Sequence, residues 1–248
     1  MMEMSRSVHA RLIERFIFNF RLRPEALASQ ISVPFLRPQV FNGWSVVSFC
    51  LMKIERVMFS PLPSLPGFQT ISCAYRCGVL DTSGAQPEPS VYIPGRYSDL
   101  PLITRLAPWV FSAAMPGIDA ALEQEGAGRT VRVRTLDGRC LFAAEVQPSS
   151  SISERSELFD SMDSFARFMH CGVSSYTPAI SGDALARVDL QKSDGSYEPL
   201  HATIDYNVLD SIWPDAGLIF DSAVRATGSL YKWTYKGLVE RSENTICR

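Results

Sequence analysis

Sequence motifs that identify several large enzyme classes are missing from this chain. It contains no glycine-rich phosphate loop, no HExxH zinc motif and no GxSxG nucleophile motif. No apolar run is long enough to span a membrane. The N-terminal residues also lack a signal-peptide core, because Arg11, Glu14 and Arg15 interrupt the apolar residues. We therefore expect a cytoplasmic protein without a membrane partner.

A basic excess is lacking as well. Lys and Arg number 24 against 26 Asp and Glu, which gives a net charge of -2. Phosphate binding requires clustered, unpaired cations, so no nucleic-acid partner is expected. One local basic run alternates with Val131 and Val133, which is typical of the wet face of a strand, with an anion groove as the alternative. Its members are Arg129, Arg132, Arg134 and Arg139.

Cysteines are too few and too scattered for a disulfide framework, with six in 248 residues. Cys73 and Cys77 share one face of a predicted strand with Ile71, Tyr75 and Val79. No second Cys or His pair lies nearby in sequence, so buried free thiols are favoured over a metal site. We expect no metal and no cofactor.

What the chain does contain is β-type alternation. Phe16, Phe18, Phe20 and Leu22 alternate with more polar residues, which predicts a half-buried strand with an aromatic inner face. An Asn42-Gly43 pair predicts a tight turn into a central strand over residues 44–57. A hydrophobic fraction of 46% is enough for a large core. The pattern indicates one β-rich domain over residues 1–248, with 1–14 and 237–248 at its periphery.

Helical signals are fewer. Pro24 to Gln30 predicts a short helix. A second helix follows Ser98 and Asp99, either of which can cap it, and Pro108 should kink it. A third helix is expected over residues 157–171. His170 lies in its last turn, where an interaction of the imidazole with the helix dipole is favoured over a catalytic role.

Several polar side chains could serve a site or simply be solvated. Arg76 stands among small residues with room for a carboxylate ligand, or it pairs with a protein acid. Lys53 could act as a buried amine, although an ion pair with Glu55 is favoured. Two further stripes of side chains each allow two interpretations. A polar stripe is either a solvated strand face or the lining of a barrel; it consists of His201, Thr203, Asp205 and Asn207. An aromatic stripe is either a sheet edge or a binding platform; it consists of Tyr231, Trp233 and Tyr235.

The order of five motifs resembles a known group of proteins. The segments RPEALASQI, RPQVFNGWSVVSFC, VYIPGRYSD, FARFMHCGVSSYTP and FDSAVRATGSLYKW are similar to an uncharacterised bacterial family, a domain of unknown function, within the acetoacetate decarboxylase-like superfamily. The resemblance extends from about Arg15 to Trp233. It implies a β-rich α+β fold, a closed cone-shaped β-barrel with an internal cavity and a few flanking helices, and a homo-oligomer.

The resemblance also shows what this chain lacks. The decarboxylases form a Schiff base through a lysine, and the matching pattern falls on residues 111–119, where Met115 and Pro116 stand and no lysine occurs. A chain without that nitrogen nucleophile should not make the imine there. Of the arginines and aspartate that usually follow YIP, Arg96 and Asp99 remain.

These considerations lead to two functional hypotheses. One is a protein that binds a small carboxylate or keto acid in the cavity without Schiff-base chemistry, through a ligand-binding set of Arg76, Arg96, Tyr97, Asp99 and Met115. The alternative is a lyase or hydrolase for a small keto acid, with an Arg/Tyr/Asp site and no assigned catalytic residue. A lysine in a dry cavity beside a carboxyl group would overturn the first hypothesis. The lysines concerned are Lys53, Lys192, Lys232 and Lys236.

Overall fold

Fourteen strands and four helices make up the regular structure of the described chain. The structure is a computed structural model that describes residues 6–60, 67–152, 156–171 and 173–241. The strands are β1 Ser7–Leu22, β2 Leu36–Pro38, β3 Val40–Phe41, β4 Trp44–Ser60, β5 Phe68–Asp81, β6 Glu88–Ser98, β7 Ile118–Glu125, β8 Gly128–Thr135, β9 Cys140–Pro148, β10 Ser174–Pro178, β11 Ala184–Lys192, β12 Ser196–Asn207, β13 Ile219–Thr227 and β14 Leu230–Glu240. The helices are α1 Pro24–Gln30, α2 Pro101–Phe111, α3 Met162–Cys171 and α4 Leu209–Ile212.

The strands form one sheet, part of which closes on itself. Strands β4, β5, β6, β10, β11, β14 and β1 are hydrogen-bonded in that order, and β1 pairs back onto β4. All neighbours in this ring are antiparallel except β6 and β10. The remaining strands extend the sheet from β1 through β13, β12, β9, β8 and β7. The predicted β-rich, cone-like closed sheet with few helices is therefore confirmed.

Strand β1 is the junction of the sheet. It pairs with β4, β13 and β14. Residues 7–14 form part of the wall, and Val8 and Leu12 are buried, so the expectation that 1–14 is peripheral is wrong for these residues. Likewise, residues 237–240 pair with β11. Residues 1–5 and 242–248 lie outside the described chain.

Both faces of β1 are buried over residues 14–20, not one. Phe16 and Phe18 are at most 1% exposed, and so is Ile17 between them. The reason is that this part of β1 separates two packed regions, whereas Arg11 nearer its start is exposed. The polar side chains Arg15 and Asn19 are buried with the apolar ones, which alternation by itself could not reveal.

We name these two regions the aromatic core and the ring interior. The aromatic core contains Phe18, Phe49, Tyr75 and Phe142 among its buried residues. The ring interior contains Ile17, Cys50, Met52 and Tyr231, with Trp233 packed against them. Successive residues of β4 alternate between the two regions, as the period of two in a strand requires.

The cysteine strand behaves as its pattern predicts. Cys73, Tyr75, Cys77 and Val79 all face the aromatic core. Within the described residues, Cys73 and Cys77 are free and buried. The thiols therefore act as small apolar groups in the packing, and burial raises the pKa of both.

The predicted turn and two of the predicted helices are confirmed in outline. Asn42 and Gly43 both have positive φ, at 49° and 82°, as the tight turn between β3 and β4 requires. Helix α1 has the expected bounds. Helix α2 contains Pro108 but begins without a side-chain cap, because Asp99 is bound to the neighbouring strand β5.

The third helix begins later than expected, at Met162 instead of residue 157. The backbone N–H groups of Glu157 and Leu158 donate to the buried carboxylate of Asp221. The hydroxyl of Ser156 donates to the same carboxylate at 2.6 Å. These bonds hold the segment against β13, so it cannot enter the helix.

The polar residues at the surface match the sequence-based predictions only in part. The exposed side chains of His201, Thr203 and Asp205 show that most of that stripe is a solvated face, whereas Asn207 is buried. The predicted Lys53–Glu55 pair is wrong, because Glu55 binds Arg11 at 2.6 Å. No helix in the described ranges is long and apolar enough to cross a membrane.

The aromatic stripe of β14 is not a sheet edge. Strand β14 pairs with β1 on one side and β11 on the other, so its backbone groups are already used. Tyr231 is buried, and Trp233 packs against the ring interior. The stripe forms an inner wall, and neither alternative raised for it, sheet edge or platform, describes it.

Candidate ligand-binding site

The ring interior is not completely filled. A cavity of about 100 Å³ lies there, which we call the larger cavity because it exceeds the adjoining one described below. Because one water needs roughly 10–15 Å³ measured in the same way, this space has room for a small organic molecule. Most of its wall is apolar, including Met52, Ile54, Ile93, Ile103, Phe111 and Trp233.

Two arginines enter this apolar wall. Arg76 comes from β5, where its near neighbours on the same face, Ser72, Ala74 and Gly78, are small, so the guanidinium has space to extend inward. Arg96 comes from the neighbouring strand β6. Both are half-buried, as expected of side chains that line an open space.

The two guanidinium groups lack a compensating negative charge. Neither forms an ion pair with a carboxylate among the residues that the structure describes. The Nε atom of each is shielded from solvent and has no hydrogen-bond partner there. Arg96 does donate to the hydroxyl of Thr177. A cationic group without an acidic partner in a largely apolar cavity is a costly arrangement that an anion would relieve.

Burial disfavours the charge on both groups. It lowers the pKa of Arg76 to about 10, with a further contribution from nearby Arg15. It also lowers the pKa of Arg96 to about 10, with Arg76 as the next cause. Both therefore remain cationic at neutral pH, and each repels the other.

A second, smaller cavity of about 50 Å³ adjoins the first. The two share the wall residues Arg76, Val91 and Leu190. Arg15 and Lys192 complete the polar side of the smaller cavity. It therefore adds two cationic groups to the same part of the ring interior.

Lys192 is held by neutral acceptors. Its Nζ donates to the backbone carbonyl of Met169 at 2.8 Å and to Oη of Tyr197 at 3.0 Å. Burial lowers the pKa of Lys192 to about 8, and the charges of Arg15 and Arg76 lower it further. The binding hypothesis would be overturned by a lysine in a dry cavity beside a carboxyl group. Lys192 does line a cavity, but no carboxylate of the described chain bonds to it.

Arg15 is the most deeply buried member of this group, at 2% exposure. Its Nη2 donates to Sγ of Cys50 at 3.1 Å, and its Nε has no partner among the described residues. The sequence did not identify Arg15 or Lys192 as site residues. Arg15 alternates with phenylalanines like any solvated strand residue, and only the closure of the ring places it inside.

The other residues expected at the site divide into two groups. Tyr97 and Met115 line the larger cavity with the arginines. Asp99 does not line it, because its carboxylate accepts hydrogen bonds from the hydroxyl of Thr70 at 2.6 Å and from the N–H of Ile71 at 2.9 Å. It ties β6 to β5 instead.

The remaining lysines of interest lie elsewhere. Lys236 is 3.8 Å from Asp189 on the outside of β14. Lys53 and Lys232 do not contribute to the wall of either cavity described above. No cluster of His, Cys, Asp and Glu suited to a metal ion occurs in the described part of the chain.

Comparison with known proteins gives a fold but no close relative. No protein-family model matches the sequence, and no curated protein matches it significantly. Among solved structures, acetoacetate decarboxylase from Legionella pneumophila matches with a TM-score of 0.62 and 10% identity, over 94% of this chain and 86% of that one.

Two further structures extend this comparison. An acetoacetate decarboxylase-like enzyme from Sphingomonas wittichii matches with a TM-score of 0.60 and 11% identity, over 98% of this chain and 95% of that one. The enduracididine biosynthesis enzyme MppR complexed with pyruvate matches with a TM-score of 0.57 and 12% identity, over 99% of this chain and 93% of that one. Identities this low establish architecture and not activity. The chain therefore has the fold of acetoacetate decarboxylase-like proteins.

Proposed function

We propose that this protein binds a small organic carboxylate or keto acid in the larger cavity, with Arg76 and Arg96 as the anion-binding groups. The observation that carries the proposal is a pair of guanidinium groups in a largely apolar wall that have no carboxylate partner among the described residues, each with a shielded Nε that forms no hydrogen bond there. Guanidinium groups bind carboxylates through two parallel hydrogen bonds, which would satisfy donors now left without acceptors.

The apolar remainder of the wall suits the carbon skeleton of such a ligand. Phe111 at the end of α2, Met115 in the segment that follows it, and Ile93 from β6 supply that surface. A fold relative, MppR, has been crystallised with pyruvate. That complex concerns MppR alone, but it supports a ligand of this size and chemistry as the first to test here.

Binding without Schiff-base decarboxylation is the second part of the proposal. The segment that resembles the lysine motif of the decarboxylases presents Met115 to the larger cavity. A thioether has no proton to lose and forms no imine. The family membership implied by the five motifs, in the uncharacterised branch of the superfamily, fits this departure.

The alternative, a lyase or hydrolase with an Arg/Tyr/Asp site, has less support. Burial raises the pKa of Tyr97, so at neutral pH this phenol can donate a proton but cannot act as a base. Asp99 is occupied by Thr70 and Ile71. The larger cavity is therefore left without a general base among the five residues proposed from the sequence.

Thermal stabilisation tests the binding proposal. Pyruvate, 2-oxobutyrate, acetoacetate and butyrate are added to the wild type and to Arg96→Met, and unfolding is followed by fluorescence. At a concentration of about 100 times Kd, a ligand adds about 2.7 kcal/mol, which raises Tm by roughly 5–10 °C in a chain of this size.

The matched control is Arg132→Met. Arg132 is an arginine on the exposed face of β8, far from either cavity in the sheet order. It should keep the full shift, whereas Arg96→Met should lose it. If none of these four acids shifts the wild type, binding of small monocarboxylates in the larger cavity is excluded.

Trapping with sodium borohydride tests the absence of imine chemistry. Reduction in the presence of pyruvate or acetoacetate should leave the protein mass unchanged, because Lys192 is held as a donor and Met115 occupies the motif position. A reduced adduct mapped to Lys192 by peptide mass spectrometry would contradict this part of the proposal and favour an enzyme.

Three broader expectations stay predictions: a single domain, a homo-oligomer and a cytoplasmic location. Sedimentation of the full chain tests the second, and fractionation of the native cell tests the third.

A further inference from the structure

We propose that the ligand is a dianion, a dicarboxylate whose first acid group binds Arg96 in the larger cavity and whose second binds Arg15 and Lys192 in the smaller one. Arg76, which borders both cavities, lies between the two acid groups. This inference rests on the proposed function and specifies its ligand class.

The walls of the two cavities carry an excess of positive charge. Arg15, Arg76, Arg96 and Lys192 border the two cavities. None of them forms an ion pair with a carboxylate in the described ranges. A monocarboxylate would neutralise a quarter of this charge, whereas two acid groups would neutralise half. Elsewhere in the same protein, buried acids are paired with arginine, as Glu14 is with Arg129 and Arg225.

Unused hydrogen-bond donors point to the same place. The Nε atoms of Arg15 and Arg76 are shielded from solvent and without acceptors in the described chain. An ammonium group has three N–H donors, and Lys192 has two acceptors here, the carbonyl of Met169 and Oη of Tyr197. A carboxylate has about four acceptor positions, which suits the donors left over around the smaller cavity.

The protonation state of Lys192 favours a charge-binding role over a nucleophilic one. Its pKa of about 8 leaves Nζ mostly charged at pH 7, and a protonated amine has no lone pair with which to attack a carbonyl. An anion beside Lys192 would in addition offset the repulsion that it receives from Arg15 and Arg76.

The position of the two cavities allows one molecule to reach both. They share Arg76, Val91 and Leu190 in their walls. The cationic groups come from four strands of the closed ring, β1, β5, β6 and β11, so they surround a common interior. The shared apolar side chains would face the methylene groups between the two acids.

A matched series of acids tests the inference. The probes are malonate, succinate, glutarate and adipate, each compared with its half-amide, which has nearly the same shape and one charge fewer. Dissociation constants are measured by titration calorimetry on the full chain at pH 7. We expect the best dicarboxylate to bind about tenfold or more tightly than its half-amide, as for a desolvated charge pair.

Lys192→Met should remove this advantage. The affinity of this variant for the dicarboxylate should fall to within about threefold of its affinity for the half-amide. Lys236→Met is the control, because it removes a lysine from the outer surface of the same ring, and it should behave like the wild type.

Each outcome is informative. Equal binding of acid and half-amide by the wild type would refute the dianion and leave the proposed function standing. Binding of neither would refute both. An advantage that survives in Lys192→Met would place the second acid group elsewhere and refute the inference as stated.

A crystal of the wild type soaked in the best dicarboxylate gives an independent test that needs no variant. One carboxylate should lie within hydrogen-bond distance of Arg96 and the other within that distance of Arg15 or Lys192. A ligand with both acid groups in the larger cavity would contradict the inference.

Discussion

The aromatic core and the ring interior lie on opposite faces of the same strands, but they are packed in different ways. In the aromatic core, Phe49 and Phe142 stack with ring centroids 4.1 Å apart, and Phe18 lies 4.6 Å from Phe142. The buried hydroxyl of Tyr75 donates to the carbonyl of Leu141 at 2.8 Å. The ring interior instead contains two cavities and cationic groups without acidic partners.

This difference separates stability from function. Close-packed rings with satisfied polar atoms contribute to the free energy of folding. Buried cations around empty space reduce it, and such arrangements persist where a ligand repays the cost. Substitutions on the two faces should therefore change the free energy of unfolding in opposite directions.

Truncation in the aromatic core should be severely destabilising. Phe49 is fully buried, and Phe49→Ala should lower the free energy of unfolding by about 3–5 kcal/mol, because it removes apolar contacts and leaves a void. Urea denaturation measures the change. Met115→Ala is the comparison in the ring interior, where an open space already exists, and it should cost about 1 kcal/mol or less. Equal losses would show that the two faces are packed alike.

Removal of an arginine from the cavity wall should instead raise the free energy of unfolding. Arg76→Met replaces a guanidinium that has no carboxylate partner in the described chain by an apolar side chain, and we expect the ligand-free protein to gain about 1–3 kcal/mol of stability while it loses carboxylate binding. Denaturation and calorimetry measure the two effects. Arg132→Met, on an exposed strand face, should change stability by no more than about 0.5 kcal/mol. A destabilised Arg76→Met would mean that Arg76 supports the fold.

The smallest effect concerns pH. The pKa of Lys192 is about 8 in the folded chain, below that of an exposed lysine. Above pH 8 the folded chain has lost a proton that the unfolded chain keeps up to about pH 10.4, so this group adds stability as the pH rises through that window. Binding of a dicarboxylate should weaken over the same rise, because Lys192 loses its charge.

The difference between wild type and Lys192→Met isolates this contribution. The charged groups around Lys192 are Arg15, Arg76 and Asp194, with Tyr197 in contact. Arg76 has a pKa of about 10 and stays charged near pH 8, and burial raises the pKa of Tyr197. If the stability difference between the two proteins is the same at pH 7 and pH 9.5, Lys192 is not the titrating group.

Local sequence signals predicted the elements well where one physical cause dominated. The Asn42-Gly43 turn depends only on two adjacent residues that tolerate positive φ. The face shared by Cys73 and Cys77 depends only on the period of a strand. Arg76 was identified among small neighbours on the opposite face for the same reason.

Predictions failed where a distant residue competed for a local group. The start of α3 is delayed because Asp221, from β13, binds the N–H groups of residues 157 and 158. The expected cap of α2 is absent because Asp99 accepts hydrogen bonds from β5. No pattern within either segment contains that information.

The sequence by itself determined a β-rich chain, the placement of Arg76 on the strand face opposite Cys73 and Cys77, and the lack of a lysine in the segment around Met115, since each follows from residue type and a period of two. Only the tertiary structure decided that Arg15 and Lys192 join Arg76 and Arg96 around adjoining cavities. These residues lie on four strands that are distant in sequence, and they meet because β1 pairs with both β4 and β14 and so closes the ring.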